Sequence, residues 1–343
     1  MKSKELVNKT KNIITVIMSC SEQQQEEAPK LATFNTTHLF FEEENTPHYS
    51  IRLALKKIMF ESASKFQHVQ VIETAQFGKT LVLDGKTQSC QTDEYIYHES
   101  LVHPAMLLHP NPKSVYVGGG GELATTREVL RHKSVEKCLM VDIDEVVVDI
   151  CKKELPEWGQ ECWKDPRLTV QYGDARAGLE NYEGKFDVII MDIADPIEAG
   201  PGYVLYTEEF YKFAVTKLNP GGVIVTQSGP CSLYNYDECF TTIHKTLGTA
   251  FEHVLGFNSD VPSFSSNWGF NLAFNGSENE RASFADWSPE KINELIAARI
   301  DGNPLRYYDG RTHRGIFGLS KPIRDAIAKE DRIMTIENPV FMY

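Results

Sequence analysis

The sequence lacks several features by which membrane proteins and metal proteins are recognised. No apolar run approaches the roughly 20 residues that a membrane-spanning helix requires. The short apolar stretch at 13–18 is too brief for a persuasive signal sequence. The seven cysteines are an odd number, and they form neither a C-x-x-C motif nor a cluster with histidine. This pattern predicts reduced thiols in a cytoplasmic protein and no metal site.

Positive charge is also scarce, because 48 acidic residues outweigh 35 lysines and arginines and leave a net charge of −13. Nucleic acids and anionic membranes bind basic surfaces, so both are disfavoured as partners. An acidic protein instead suits cationic small molecules. The composition is that of an ordinary globular protein, and 343 residues are enough for two domains.

Three segments follow one another along the chain. Residues 1–35 combine mixed charges with a run rich in glutamine and glutamate, so they predict a disordered leader. Residues 36–90 predict a small antiparallel β domain, because short apolar and β-branched runs alternate with turn residues. The strands predicted there are Leu39–Phe41, Ile51–Met59, His68–Ile72 and Thr80–Leu83. Residues 91–343 predict an α/β domain with a C-terminal extension.

Strands and helices alternate in this third segment, which indicates a parallel sheet covered on both faces. The predicted strands are Val115–Val117, Cys138–Ile143, Leu168–Gln171, Phe186–Met191, Val223–Gln227, His253–Phe257 and Trp268–Phe274. The predicted helices are Gln91–Leu108, Ala124–His132, Val146–Leu155, Thr207–Leu218 and Pro289–Ile300.

The most informative stretch lies between residues 113 and 144. A strand leads into four glycines, Gly118–Gly121, and a helix and a second strand follow, ending in Asp142 and Asp144. This order is typical of a turn that holds a nucleotide or nucleoside at the edge of a parallel sheet. Glycine allows close approaches that a Cβ would block, and the acid is placed to accept hydrogen bonds from ribose hydroxyls. We therefore predict an adenosine-type ligand, with a purely structural turn as the alternative.

Acidic residues recur at the ends of successive predicted strands. Asp174 follows the third strand, and Asp192 and Asp195 follow the fourth. Any one of them could cap a helix. In an open parallel sheet, however, ligands bind outside these carboxyl ends, so several acids there predict a shared acidic cleft. Such a cleft suits a cationic acceptor and a cationic donor, such as a sulfonium compound with an adenosine body.

Glu122, directly after the glycines, would repel the amino-acid carboxylate of S-adenosylmethionine and attract the ammonium of a donor without that carboxylate. A methyltransferase remains an alternative only if Glu122 tolerates the carboxylate. If the acceptor is a polyamine, a carboxylate must remove a proton from the attacking amine. Asp192 is the predicted base, and Asp195 would hold a second ammonium. Neither role requires a metal.

At these residues the sequence resembles the polyamine aminopropyltransferases, the spermidine and spermine synthase family. The similarity extends from about Ser64 to Phe274 and rests on ordered motifs: K-F-Q-H-V-Q-V (65–71), F-G-K-T-L-V-L-D-G-K-T-Q (77–88), D-E-Y-I-Y-H-E (93–99), G-G-G-E (119–122), R-E-V-L (127–130), D-I-D (142–144), Y-G-D-A (172–175) and D-I-A-D-P (192–196).

The resemblance implies a small N-terminal β domain followed by a Rossmann-like domain of the class I methyltransferase type. It also implies transfer of the aminopropyl group of decarboxylated S-adenosylmethionine to an amine, with release of methylthioadenosine. Family members tend to be homodimers or homotetramers, and the resemblance implies no permanently bound cofactor.

The matching motifs also imply the site residues. Those implied for the donor, with Asp142 on the ribose and Asp174 near adenine, are Gln67, Gly119, Gly120, Glu122, Asp142, Asp174 and Asp192. Those implied for the amine path, with Asp192 as the catalytic base, are Gln88, Tyr97, Asp195 and Gln227, and we predict that His98, next to Tyr97, also binds the substrate.

Several positions depart from spermidine synthases, which usually carry serines at Ile193 and Ala194, glutamine at His98 and glycine at Leu123. The motifs D-I-A-D-P (192–196), Y-H-E-S-L-V-H (97–103), G-P (200–201) and L-Y-T (205–207) instead look like plant thermospermine synthases. We therefore expect spermidine as the acceptor and thermospermine as the product. One alternative is a spermidine or spermine synthase, which would use putrescine or the other end of spermidine. Another is a catalytically silent member that only binds an adenosyl ligand.

Overall fold

Two β-sheets, one antiparallel and one mostly parallel, form the frame of the protein. The computed structural model describes residues 39–198, 200–276 and 279–342. The predicted disordered leader, residues 1–35, lies outside this described part of the chain. Within the described ranges, no helix combines the length and the apolar character that crossing a membrane requires.

The antiparallel sheet has five strands, and each strand pairs with the next one in sequence. They are β1 Leu39–Thr46, β2 Tyr49–Ala63, β3 His68–Thr74, β4 Gly78–Leu83 and β5 Lys86–Cys90. The turn between β4 and β5 places Asp84 and Gly85 at φ values of 49° and 78°, which is the two-residue turn that matches the twist of paired strands. The sequence predicts the first four strands. It does not predict β5, because its residues are mostly polar.

The second sheet has the strand order β11-β12-β10-β9-β6-β7-β8. Its strands are β6 Ser114–Gly119, β7 Lys137–Asp142, β8 Leu168–Tyr172, β9 Phe186–Asp192, β10 Leu218–Pro230, β11 His253–Val261 and β12 Ser266–Phe274. β12 runs antiparallel to both of its neighbours, and the remaining pairs are parallel. The predicted fold class, a Rossmann-like sheet domain preceded by a small antiparallel β domain, is therefore confirmed.

Helices cover the second sheet and continue into the C-terminal extension. In the described residues they are α1 Glu94–Leu108, α2 Ala124–Leu130, α3 Glu145–Glu154, α4 Pro156–Gly159, α5 Ala175–Asn181, α6 Glu208–Thr216, α7 Phe240–Leu247, α8 Asn279–Ala282, α9 Pro289–Arg299, α10 Gly310–Ile316 and α11 Lys321–Lys329. α6 begins directly after Thr207, whose hydroxyl accepts a hydrogen bond from the backbone N–H of Phe210 and so caps the helix. The boundary predicted at residue 90 falls between β5 and α1, and it stays a prediction.

The centre of the second sheet is buried on both faces. Val115 and Val117 of β6 belong to the core that includes α1, whereas Tyr116 points into the core on the other face. Each fully buried side chain of this size stabilises the fold by about 1.5–3 kcal/mol. From β6 the chain continues to β7 and β8 on one side, whereas β9 lies on the other side of β6. The strand order therefore reverses at β6. Ligands of open α/β sheets bind at this kind of position.

The C-terminal extension packs against α1. The Glu99 carboxylate accepts hydrogen bonds of 2.8 Å from the backbone N–H groups of Arg306, Tyr307 and Tyr308. The guanidinium of Arg299 donates to the carbonyl of His109, just beyond the end of α1, at 2.8 Å. These contacts hold the C-terminal extension against α1.

Candidate active site

A cavity of about 340 Å³ lies at the carboxyl ends of β6, β7 and β9 and is closed on one side by the antiparallel sheet. Both sheets contribute side chains to its wall. The predicted site residues that line it are Gln67, Gln88, Tyr97, Gly119, Gly120, Glu122, Asp142, Asp174, Asp192, Asp195 and Gln227. His98, which also lies in the described part of the chain, does not line this cavity, and its side chain is fully buried.

The glycine turn brings two acids against the backbone. A Cβ at Gly119 would lie 2.1 Å from the carbonyl oxygen of Asp192, and a Cβ at Gly121 would lie 2.8 Å from Oδ2 of Asp142. Gly119 also has φ +80°, a conformation that residues with a Cβ rarely adopt. Glycine is therefore required at Gly119, whereas a Cβ at Gly121 would push against the Asp142 carboxylate.

Leu123 adopts the left-handed conformation, with φ 71°, at the position where the family resemblance leads us to expect glycine. For a residue with a Cβ, this conformation costs roughly 1–2 kcal/mol. The Leu123 side chain is completely buried in the core, and burying a leucine contributes about 1.5–3 kcal/mol. Side-chain burial thus offsets the backbone strain and lets the turn keep its shape without a glycine here.

Asp192 points towards the glycine turn, as a base at this position must. Its Oδ1 accepts a 2.6 Å hydrogen bond from the hydroxyl of Tyr97, and its Oδ2 accepts one from the hydroxyl of Thr125. Burial raises the pKa of Tyr97 well above its usual range, so this hydroxyl keeps its proton and donates it. These two neutral donors fix the Asp192 carboxylate in the wall of the cavity. Sequence reasoning does not single out Thr125.

Glu122 stands between the cavity and His98. Its Oε1 lies 2.7 Å from Nε2 of His98, and Nδ1 of the same ring lies 2.9 Å from Oε2 of Glu94. Any part that His98 plays in binding a ligand is therefore exerted through Glu122. His98 is not among the described residues that line the cavity, so the substrate-binding role predicted for it stays a prediction.

One end of the cavity is lined by Asp142 and Asp174. Burial raises the pKa of Asp142 to about 6, and its Oδ1 accepts a 2.8 Å hydrogen bond from the backbone N–H of Asp144. Asp144 in turn caps α3 and accepts a 2.9 Å hydrogen bond from the Gln67 amide. Asp174 caps α5 and also lines the cavity. Capping thus accounts for one carboxylate oxygen of Asp144 and for Asp174 in part, but it does not explain Asp142.

The opposite end is built around Gln227 and Asp195. The Gln227 amide nitrogen lies 3.0 Å from Oδ1 of Asp195 and 2.6 Å from the hydroxyl of Tyr206. Its carbonyl oxygen accepts hydrogen bonds from the backbone of Gly229 and from the indole of Trp268. Both the nitrogen and the oxygen of the Gln227 side-chain amide are therefore hydrogen-bonded. The amide in turn orients the Asp195 carboxylate, which lines the cavity.

Further polar groups surround this end. Glu43 and Asn45 come from β1, Lys86 from β5 and Glu238 from the loop before α7. Sequence reasoning misses all four. The E-E-E run at 42–44 marks an acidic strand but does not tell which glutamate faces inward, and the loop around Glu238 gives no periodic signal. The end that includes Asp195 thus carries three carboxylates and one lysine.

Comparisons with known proteins identify the family of this chain. A model of the spermine/spermidine synthase domain matches residues 94–282, and a model of the spermidine synthase tetramerisation domain matches residues 39–91. Thermospermine synthase ACAULIS5 of Arabidopsis thaliana is 40% identical over 291 residues, covering 84% of this chain and 83% of that protein. A polyamine aminopropyltransferase of Aeropyrum pernix is 41% identical over 298 residues, covering 87% of this chain and 93% of that protein.

Solved structures are similar along nearly the whole chain. A spermidine synthase in complex with the transition state analogue AdoDATO has a TM-score of 0.77 and 28% identity, covering 90% of this chain and 99% of that one. The spermidine synthase of Thermotoga maritima has a TM-score of 0.75 and 27% identity, covering 91% of this chain and all of that one (100%).

Proposed function

Because this chain belongs to the spermine/spermidine synthase family and is a polyamine aminopropyltransferase, we propose that it transfers the aminopropyl group of decarboxylated S-adenosylmethionine to spermidine. The products are thermospermine and methylthioadenosine. The observation that carries this proposal is the placement of Glu122, Asp192 and Asp195 along one cavity wall.

Glu122 supports decarboxylated S-adenosylmethionine as the donor. Decarboxylated S-adenosylmethionine has an ammonium at the end of its aminopropyl chain but no carboxylate. Two opposite charges about 4 Å apart attract each other by at most roughly 4 kcal/mol at an intermediate dielectric. The carboxylate of intact S-adenosylmethionine would meet repulsion at the same place. This difference favours aminopropyl transfer over methyl transfer.

The reaction needs an unprotonated amine, and Asp192 produces it by removing a proton from the acceptor. The attacking amine arrives as an ammonium without a lone pair, and the Asp192 carboxylate takes one of its protons. The lone pair then forms a bond to the aminopropyl carbon attached to sulfur. The carbon–sulfur bond breaks, and its electrons remain on sulfur, which becomes the neutral thioether of methylthioadenosine. Tyr97 and Thr125 hold the base in place, so little reorganisation is needed before proton transfer.

Spermidine as the acceptor is supported by the charge of the Asp195 end. Spermidine has three ammonium groups, whereas putrescine has two. After one amine is placed at Asp192, spermidine leaves two cations for Asp195, Glu43 and Glu238, against the single ammonium of Lys86. Ile193 and Ala194, which replace the serines usual in spermidine synthases, make the wall beside the base more apolar. A spermidine or spermine synthase is the alternative, since the archaeal relatives at similar identity carry the general name polyamine aminopropyltransferase.

The acceptor can be tested directly. With decarboxylated S-adenosylmethionine present, we expect turnover with spermidine to exceed turnover with putrescine by about tenfold or more, equivalent to roughly 1.4 kcal/mol. Chromatography that separates spermine from thermospermine identifies which end of spermidine reacts. Equal rates with both amines would favour a spermidine synthase, and spermine as the main product would favour a spermine synthase.

Acceptor binding should also depend on pH through Asp195. Burial raises the pKa of this carboxyl to about 6, so it loses its negative charge as the pH falls through that value. We expect spermidine affinity, measured by calorimetry with methylthioadenosine bound, to fall by up to about tenfold between pH 7 and pH 5. Asp195→Asn should bind spermidine weakly at pH 7 and lose the largest part of this pH step.

Asp331→Asn, at an exposed position, is the matched control and should keep the wild-type profile. Glu43, Glu238 and Lys86 also face this end, so a smaller residual step in Asp195→Asn is expected. A flat wild-type profile, or an unchanged step in Asp195→Asn, would contradict the role of Asp195.

The family model at residues 39–91 describes a tetramerisation domain. We therefore propose a homo-oligomer, a dimer or a tetramer, that assembles through the antiparallel sheet. Cytoplasmic location stays a prediction.

A further inference from the structure

A buried row of alternating charges runs behind the glycine turn. It starts at Glu122 in the cavity wall and continues through His98 and Glu94 to Arg127, whose guanidinium donates to Oε2 of Glu94 at 3.0 Å. Glu94 and Arg127 are each only 7% exposed in their side chains, and His98 is not exposed at all. Charges removed from water to this degree are stable only when each is paired.

The geometry sets the protonation of His98. Both ring nitrogens lie within hydrogen-bonding distance of a carboxylate oxygen, Nε2 of Glu122 and Nδ1 of Glu94. A carboxylate only accepts hydrogen bonds, so both nitrogens must carry a proton, and the ring is an imidazolium. Burial acts to lower the pKa of His98, but the hydrogen bonds and charges of Glu122 and Glu94 raise it to about 10. His98 therefore stays cationic throughout the neutral range.

Glu122 depends on this cation. Burial raises the pKa of Glu122, and the charges of Asp192 and Glu94 act in the same direction, whereas His98 opposes them. Tyr97 and the thiol of Cys151 also lie within electrostatic range of Glu122, and burial keeps both neutral. His98 is therefore the cation in direct contact with Glu122. It opposes the effect of the Asp192 and Glu94 charges, which raise the pKa of Glu122.

We propose that His98 is a positioning residue that never touches the substrates and that keeps Glu122 charged and aimed into the cavity, where it holds the donor's ammonium. Glu94 and Arg127 fix the imidazolium from behind. This inference rests on the proposed donor, and it replaces the direct substrate contact expected for His98. Glutamine, which spermidine synthases usually carry here, could keep one hydrogen bond to Glu122 but would supply no charge.

The test compares two ligands. Decarboxylated S-adenosylmethionine carries the ammonium, and methylthioadenosine lacks the aminopropyl group but has the same nucleoside. Their dissociation constants are measured by calorimetry without any acceptor. The selectivity ratio is the constant of methylthioadenosine divided by that of the donor. Any change in affinity for the shared nucleoside affects both constants equally and cancels in the ratio. This includes the titration of Asp142, whose pKa burial raises to about 6.

For His98→Gln, we expect the selectivity ratio at pH 6.5 to fall about tenfold or more below the wild-type ratio, about 1.4 kcal/mol. At pH 9 it should return to within about threefold of the wild type, because Glu122 then ionises without help. Affinity for methylthioadenosine should stay unchanged. His98→Asn, which is also neutral, provides a second variant, and thermal unfolding confirms that each variant is folded.

A Glu122→Gln background provides the matched control. Adding His98→Gln to it should leave the ratio as it is, because the carboxylate on which His98 acts is gone. An unchanged ratio in the single variants, or an equal loss of both ligands, would overturn the proposal. Failure of the proposed donor would look different, since the wild-type protein would then bind methylthioadenosine but not decarboxylated S-adenosylmethionine.

Discussion

Asp192→Asn is expected to lower turnover by about 10²–10⁴-fold, the usual effect of removing a general base. Asparagine has nearly the same shape and can still accept a hydrogen bond from Tyr97 or Thr125, but it cannot take a proton from the attacking ammonium. Donor affinity should stay within about threefold of the wild-type value, a difference below roughly 0.7 kcal/mol. Single-turnover kinetics with saturating donor and calorimetry of donor binding measure the two quantities separately.

Raising the pH gives this prediction a second readout. Aliphatic amines have pKa values near 10.4, so more of the acceptor is already deprotonated in alkaline solution. The turnover of Asp192→Asn should therefore rise more steeply with pH than that of the wild type. Asp331→Asn controls for the loss of a carboxylate at an exposed position. Near-normal turnover of Asp192→Asn would remove its role as the base.

Glu122→Gln is expected to weaken binding of decarboxylated S-adenosylmethionine by about 10–150-fold, because a hydrogen bond to a charged group contributes about 1.5–3 kcal/mol. Methylthioadenosine should bind as it does to the wild type, because it has no ammonium to lose its partner. Turnover at saturating donor should change much less than donor affinity, since Glu122 acts on the ground state and the transition state alike. Calorimetry and initial rates over a range of donor concentrations measure both effects.

Glu183→Gln, at an exposed loop position, is the matched control for Glu122→Gln and should bind both ligands normally. An equal loss of affinity for methylthioadenosine would show that Glu122 shapes the turn rather than attracts the ammonium. Tight binding of intact S-adenosylmethionine by Glu122→Gln, together with retained donor affinity in the wild type, would support the discrimination by charge.

The glycine turn and its acids are predictable because local order and topology act together. A strand that runs into Gly118–Gly121 must end at the sheet edge, and parallel pairing brings Asp142 and Asp192 to that same edge. Each prediction depends only on short segments whose patterns are strong. The same reasoning places Asp195 near Asp192, three positions further along the chain.

The position of His98 relative to the cavity could not be predicted from the sequence. Tyr97 and His98 are neighbours in sequence, but consecutive residues of a helix point about 100° apart. The Tyr97 side chain reaches Asp192, whereas His98 reaches Glu122 from behind. Only the packing of α1 against α2 decides which of the two faces the cavity, and no local motif records that packing.

Residues from distant segments are harder still to predict. Glu43 and Glu238 are 195 positions apart (238 minus 43), yet both line the same end of the cavity. Their placement depends on how the antiparallel sheet lies over the second sheet. Motifs in either sheet do not encode that contact by themselves.

The glycine turn and Asp192, the proposed base, are joined through their backbones. Gly119 pairs with Asp192 across the sheet, and the N–H of Gly120 donates to the Asp192 carbonyl at 2.9 Å. A displacement of the turn would also move Asp192, so we expect the binding of the two substrates of the proposed reaction to be thermodynamically linked. Linkage is reciprocal. If the bound nucleoside changes the affinity for the amine by some factor, the bound amine changes the affinity for the nucleoside by the same factor.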